Sequence, residues 1–244
     1  MKKLKISKST IIAICSGIIC FAVAIVLIFP YIPLRTEHIS GLLYGKSIDD
    51  MFEQSSLVVY GKVDSKSKSF QIEDSEGGVN LCTDYYIKPI EVLRGDANGA
   101  EKITVRIDGG LYENIKYIDE GEPDFNIGGK FVLFLYRPAR GGGFNTEGDY
   151  YYVSGGCQGA FKNVGKYDTG DIALLQGGDY GEGKTMTEMR ELTEKANQEI
   201  PIDEEYNKNQ FLKNIQLNLE NGFMEQEEAD RLIKSIEEYA TIVK

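Results

Sequence analysis

The chain is poor in the residues that most catalytic and metal-binding chemistry requires. It holds one histidine, His38, and four cysteines in 244 residues. A Ser-His-Asp or Cys-His set needs a histidine beside its nucleophile, and His38 stands alone, just past an apolar N-terminal segment. No CxxC pair occurs, which removes the usual zinc and thiol-redox motifs. Positive charge is scarce as well: 27 Lys and Arg face 38 Asp and Glu, a net charge of −11. Lys2, Lys3, Lys5 and Lys8 precede the apolar segment and leave −15 on the remainder. An acidic surface of this kind repels nucleic acid and anionic lipid surfaces, and it is compatible with a cationic protein partner or with nothing beyond solubility. No nucleic-acid partner, metal or cofactor is expected.

Residues 11–29, "IIAICSGIICFAVAIVLIF", carry no charge. A helix of this length spans roughly 28 Å, close to the hydrocarbon thickness of a bilayer. The lysine flank before it predicts a cytoplasmic N-terminus and an outward-facing remainder. Ala22-Val23-Ala24 has the small-x-small form of a cleavage site, but "IVLIF" continues the apolar run past it. A retained signal-anchor is therefore expected. Cys15 and Cys20 each follow an isoleucine, where a lipid-modified cysteine needs a small residue, and they read as ordinary apolar positions. Cys82 and Cys157 remain as candidates for a disulfide in an oxidising exterior.

Residues 30–46 read as a juxtamembrane stalk, and 47–180 as a β domain. Ser47 is a helix N-cap, with Asp49 and Asp50 in the first turn. "LVVYGKV" begins the strands, and "KSKSFQIED" continues as a polar hairpin region. "YYIKPIEVLRG" is a long strand broken at Pro89, which predicts an edge or a bulge there. "KITVRIDGG" alternates Ile103, Val105 and Ile107 with Thr104, Arg106 and Asp108. Six or seven short strands with glycine-rich breaks predict a mainly β fold, a small barrel or sandwich.

"FNIGGKFVLFLYRP" tests a nucleotide reading. A phosphate loop needs GxxxxGK[ST] between a strand and a helix. Here Lys130 precedes Phe131, and the run that follows is too short and too β-prone for a helix. Gly128-Gly129 is thus a turn, and residues 131–136 form a strand buried on both faces.

The order "SSLVVYGKV", "YYIKPIEVLRGD", "ITVRIDGG", "IGGKFVLFLYRP", "YYVSGGCQGAF" resembles a family of bacterial extracytoplasmic, membrane-anchored proteins of unknown function. That pattern is similar to the OB-type barrel of netrin-like and metalloprotease-inhibitor domains, over roughly residues 50–165. The resemblance implies a fold and no activity. The inhibitors depend on a cysteine at the mature N-terminus of the domain, which this chain lacks, so protease inhibition and its residues do not transfer.

Residues 185–244 read as helical. Thr185 with Glu188 forms a capping box, followed by Met189, Leu192 and Ala196. A second helix aligns Phe211, Leu212, Ile215 and Leu219, and a third aligns Ala229, Leu232, Ile233, Ile236 and Ala240. The last two predict an αα-hairpin that covers its own apolar face or docks a partner.

The remaining candidates are carboxylates and tyrosines. Asp119/Glu120 and Glu122/Asp124 in "YIDEGEPDFNIGG" are the pairs for calcium binding or glycoside hydrolysis, against a solvated loop. Asp179 and Glu182 in "GGDYGEGKT" lack EF-hand spacing. Cys157 in "SGGCQGAF" has no base beside it. In Tyr150-Tyr151-Tyr152 alternate rings face opposite sides, and Tyr150 and Tyr152 are the candidate ligand-facing pair, against plain cross-strand packing. The expectation is a single-pass binding or interaction protein at the cell surface, not an enzyme. The alternative is a surface hydrolase using carboxylates.

Overall fold

The computed structural model describes residues 16–17, 19–25, 27, 32–39, 45–73, 79–137, 150–178, 183–202, 212, 215–216, 219–220, 222 and 224–242. The N-terminal lysines, Cys15, Pro138, Asp179, Glu182, Phe211 and Asn221 lie outside the described residues. Within the expected span, residues 16–17, 19–25 and 27 are helical. Among the described residues no helix is long and apolar enough to cross a membrane.

Among the described residues the fold is mainly β, one large mixed sheet of eleven strands. They are β1 (Arg35–Ile39), β2 (Leu57–Lys66), β3 (Phe70–Glu73), β4 (Val79–Arg94), β5 (Ile103–Tyr112), β6 (Ile115–Asp119), β7 (Lys130–Tyr136), β8 (Tyr152–Val153), β9 (Ala160–Lys166), β10 (Ile172–Gln176) and β11 (Gly183–Thr185). The ladders run β1-β6-β5-β4-β2-β7-β9-β10-β11, with β3 on β4 and β8 on β7. This path is open at both ends, so the ladders themselves do not close into the barrel that the sequence suggested. One parallel bridge, Val105 to Tyr151, stands outside the ladders. It is made by Arg106 N to Tyr151 O at 2.8 Å and Tyr151 N to Thr104 O at 2.9 Å.

The expected stalk is in part a strand. β1 pairs parallel with β6, and Glu120 N continues the edge by donating to Ile39 O at 3.0 Å.

β7 is the strand buried on both faces. Phe131, Leu133 and Leu135 enter one core with Val59, Val63, Ile87, Val105 and Tyr151. Val132 and Phe134 enter a second with Val58, Tyr60, Phe161 and the helices. Gly128, at φ +87°, turns the chain into it, and Gly128 N and Gly129 O both bond Val63 at 2.8 Å. Pro89 sits opposite Gly61, where the β2–β4 register slips. Pairing of β4 with β5 ends at Ile87–Ile103, before Pro89, so the proline interrupts no β5 pairing.

Helix α1 (Ile48–Gln54) starts at Ser47 in a capping box with Asp50 and buries Met51 and Phe52. Phe52 meets Phe134 edge-on at 4.9 Å. Helix α2 (Met186–Glu199) starts at Thr185 in a capping box with Glu188. Its buried stripe, Met186, Met189, Thr193 and Ala196, completes the second core. Arg94 holds its far end: Nη2 donates to Ile200 O at 2.8 Å and Nη1 to Asn197 Oδ1 at 2.9 Å. Helix α3 (Gln226–Ile242) packs Ala229, Leu232 and Ile233 against Ile215, Leu212 and Leu219 in a third, small cluster.

Candidate functional site

Register on β4 and β5 builds the first half of the site. Cys82 lies opposite Asp108, and Asp84 opposite Arg106. Positions two apart on a strand share a face, so the four side chains form one polar patch on the side away from Val105 and Ile107. Arg106 Nε and Nη2 donate to the two Asp84 oxygens at 2.8 and 3.0 Å. The guanidinium lies 3.7 Å over the Tyr150 ring and 4.8 Å over the Phe70 ring. Cys82 Sγ donates to Asp108 Oδ1 at 3.4 Å. Burial, reinforced by the Asp108 charge, pushes the Cys82 thiol up to about 12. It stays protonated at neutral pH and is no nucleophile.

The three tyrosines divide as strand alternation dictates. Tyr151 enters the core. Tyr150 is buried under Arg106, and among the described residues no hydrogen-bond partner meets its hydroxyl. Tyr152 is half-buried, edge-on to Tyr150 at 5.5 Å and tilted against Tyr136 at 5.9 Å. Burial raises the pKa of all three outward phenols, Tyr136, Tyr150 and Tyr152.

The loop after β6 supplies the second half. Gly121 N bonds Asp119 Oδ1 at 2.8 Å, and Cys157 N bonds Gly121 O at 2.7 Å. Phe125 plugs the loop into the core, edge-on to Tyr85 at 5.2 Å and Phe131 at 5.0 Å. Between this loop and the β5–β6 hairpin lies a cavity of about 430 Å³. Its walls carry four carboxylates, Asp108, Asp119, Glu122 and Asp124, two lysines, Lys66 and Lys116, and the rings of Tyr85, Tyr117 and Phe125. Burial, then the charges of Asp108 and Asp119, pushes half-buried Glu122 up to about 8. Burial likewise raises Asp108, with Asp119 adding to the effect. Shifted carboxylates gathered in a cleft mark a site that stores negative potential. It can receive a cation, which would draw the proton off Glu122, or it can use Glu122 as an acid.

"SGGCQG" is structural. Gly155 and Gly156 take positive φ around a 3-10 turn at Gly156–Gly159. Gln158 is buried, accepting from Lys46 N at 2.8 Å, and its carbonyl accepts from Gln176 Nε2 at 3.0 Å. A side chain at Gly159 would collide with Ser154 O. Cys82 and Cys157 do not form a disulfide: the Cys82 thiol is turned to Asp108, and Cys157 is buried in this turn. His38 Nδ1 lies 3.1 Å from Glu120 Oε1 at the exposed edge. Among the described residues no three His, Cys, Asp or Glu side chains are placed to hold a metal.

The structure thus gathers Asp119, Glu122 and Asp124 from the acidic pairs, and turns Glu120 to His38 at the edge. The partner that sequence proximity missed is Asp108. Its signal was present in the alternation of "ITVRIDGG", which sets Arg106 and Asp108 on the polar face, followed by two glycines at φ +100° and +139° that lead into the β5–β6 hairpin. No family model, no curated protein and no solved structure matches the chain.

Proposed function

We propose that the chain is a membrane-anchored, outward-facing binding protein whose β domain receives a cationic group of a partner protein. The cavity beside Glu122 carries this reading: four carboxylates and three aromatic rings surround it, against two lysines. Carboxylates supply the charge for an ammonium or guanidinium, and ring faces add cation–π attraction. The acidic balance of the chain favours the same partner and speeds its approach.

Two further observations support the rest of the proposal. Ile19, Phe21, Val23, Ile25 and Leu27 lie in the helical N-terminal stretch at 48–70% exposure. That is apolar surface of the kind a bilayer covers. The pairings β2–β4, β4–β5, β5 to Tyr151, β8–β7 and β7–β2 return to their starting strand. Such a circuit, with one link reduced to a bridge, fits the partly open five-stranded barrel of OB-type domains. In that reading β4 and β5 correspond to the second and third barrel strands, whose outer face such domains use for binding, and Arg106 and Asp108 lie on that face with Tyr152 beside them.

Calorimetric titration of the full-length protein in neutral detergent with a lysine-rich peptide tests the site. Saturable binding is expected, lost in Asp119→Asn/Glu122→Gln while the fold persists. Binding that survives the double variant, or none at all, refutes the cavity. Protease treatment of intact cells expressing the chain tests the topology: the β domain is expected to be digested from outside, and protection refutes the outward orientation.

A carboxylate hydrolase is the second reading. Glu122, held protonated near neutrality beside Asp119, has the protonation state that glycoside hydrolysis asks of its general acid. Turnover of a glycoside panel abolished by Glu122→Gln would favour it over binding alone.

A further inference from the structure

Lys62 lies directly opposite Lys88 of β4 on one side and Lys130 of β7 on the other. Cross-strand neighbours of like charge repel, and all three lysines are exposed. Each adjoins a residue of the first core, Val63, Ile87 or Phe131, so strand alternation sends the three side chains to the opposite face. Lys102 extends the row, because the register that pairs Ile87 with Ile103 sets it beside Lys88. Guarding a sheet edge, a common use of strand lysines, does not account for the row, since β2 is central, between β4 and β7.

The nearby carboxylates are already engaged. Asp64 holds Lys102 at 2.7 Å, Glu91 holds Arg190 of α2 at 2.8 Å, and Asp84 holds Arg106 at 2.8 Å. Among the described residues Lys62, Lys88 and Lys130 form no ion pair. A chain of net charge −11 thus keeps three adjoining cations without an internal counter-charge. At physiological salt, charges beyond about 8 Å are largely screened, so an approaching anion meets the row rather than the acidic balance of the whole chain.

We propose that this row docks an acidic helix of a partner protein. Neighbouring strands lie about 4.8 Å apart, and carboxylates three or four positions apart on a helix about 5–6 Å apart, so one acidic stripe meets successive lysines. A continuous polyanion such as nucleic acid would run on to Asp64, two positions beyond Lys62, whereas a helix can set a neutral residue there. Residues 32–34 join the domain at the β5–β6 turn, where Asn114 Nδ2 donates to Ile32 O at 2.9 Å and Asn114 O accepts from Leu34 N at 2.7 Å. The row lies at the other end of β5, a strand of ten residues and roughly 30 Å. On the anchor reading above, that distance keeps it from lipid headgroups. The row is separate from the cation cavity and stands if that cavity fails.

Fluorescence anisotropy of a labelled alanine-based peptide with glutamate at every fourth position, titrated with full-length protein in neutral detergent, tests the row. Saturable, salt-sensitive binding is expected. Lys62→Gln/Lys130→Gln should weaken it about tenfold and leave Tm unchanged or raised, since it relieves repulsion within the row. Lys195→Gln, at an exposed lysine of α2 outside the row, should change neither. No binding, equal affinity in the double variant, or a fall in its Tm that makes the row structural overturns the proposal. Tighter binding of a single-stranded DNA oligomer of equal charge also overturns it, by making the ligand a nucleic acid.

Discussion

Arg106 grips Asp84 with two hydrogen bonds, at 2.8 and 3.0 Å, while its guanidinium lies 3.7 Å over the Tyr150 ring. The two side chains are 8% and 14% exposed, so neither charge has bulk water to fall back on. Removing one partner strands the other. Asp84→Asn is expected to cost about 3–5 kcal/mol in urea unfolding, because Arg106 keeps its charge in a desolvated place. Asp84→Leu/Arg106→Met, which removes both charges, should cost far less than the sum of the single changes. Additive losses in that cycle would show that the pair is not coupled.

β7 invites a different test, since it divides the two cores. Phe134 contacts Phe52 and Phe161 and is fully buried. Phe134→Ala should cost about 3–5 kcal/mol, the transfer loss plus a cavity. Lys130, exposed at the start of the strand, should tolerate alanine within about 0.5 kcal/mol. Melting with and without ATP completes the experiment. A nucleotide-dependent rise lost in Lys130→Ala would reinstate the phosphate-loop reading that Gly128-Gly129 otherwise excludes.

Glu122 gives stability a pH dependence of definite sign. Its pKa is about 8 in the folded chain against the ordinary 4.5. Across that window the native state keeps a proton that the unfolded chain has released, so stability falls as pH rises from about 4.5 through about 8. Asp108, also shifted upward, acts in the same direction. Asp50 and Glu91 are shifted downward by bonds from Ser47 and Arg190, and their support is lost only under more acidic conditions. Urea midpoints should therefore peak near the lower end of the window. Glu122→Gln should flatten the descending side, and an unchanged slope in that variant refutes the assignment. Binding of the lysine-rich peptide should strengthen over the same rise, as the cation displaces the proton.

What could be read in advance was local. Ser47 with Asp50 and Thr185 with Glu188 cap their helices because the signal and its consequence lie within one turn. The continuous apolar run of β7 and the irregularity at Pro89 are equally self-contained. β1 carries no strand signal of its own: it is mostly exposed, and its parallel partner, Ile115–Asp119, is distant in sequence. β10, "IALLQ", is a strand only because β9 and β11 flank it. The cavity was half legible. Proximity grouped Asp119 with Glu120, yet Asp108 joins Asp119 and Glu122 only when the β5–β6 hairpin folds back. The pKa of Glu122 follows from that long-range closeness together with burial, and neither is written in composition.

Cys82 provides the last prediction, and it bears on both the disulfide and the chemistry. The thiol is 1% exposed, donates to Asp108, and is pushed up to about 12, first by burial and then by that carboxylate. Thiolate is the reactive form, so Cys82 in the folded protein should resist alkylation at mildly alkaline pH and react fully once denatured. Peptide mapping without reductant should recover the Cys82 and Cys157 peptides separately. Asp108→Asn removes the repelling charge but leaves the burial, so the thiol pKa should fall while remaining above the ordinary value. Labelling rates measured against pH would register this as an earlier onset. Rapid stoichiometric labelling of native Cys82 would place the thiol in solvent, and a crosslinked Cys82–Cys157 peptide would restore the disulfide. Either result would remove the hydrogen bond that fixes Asp108 on the cavity wall, and with it one of the four carboxylates on which cation binding depends.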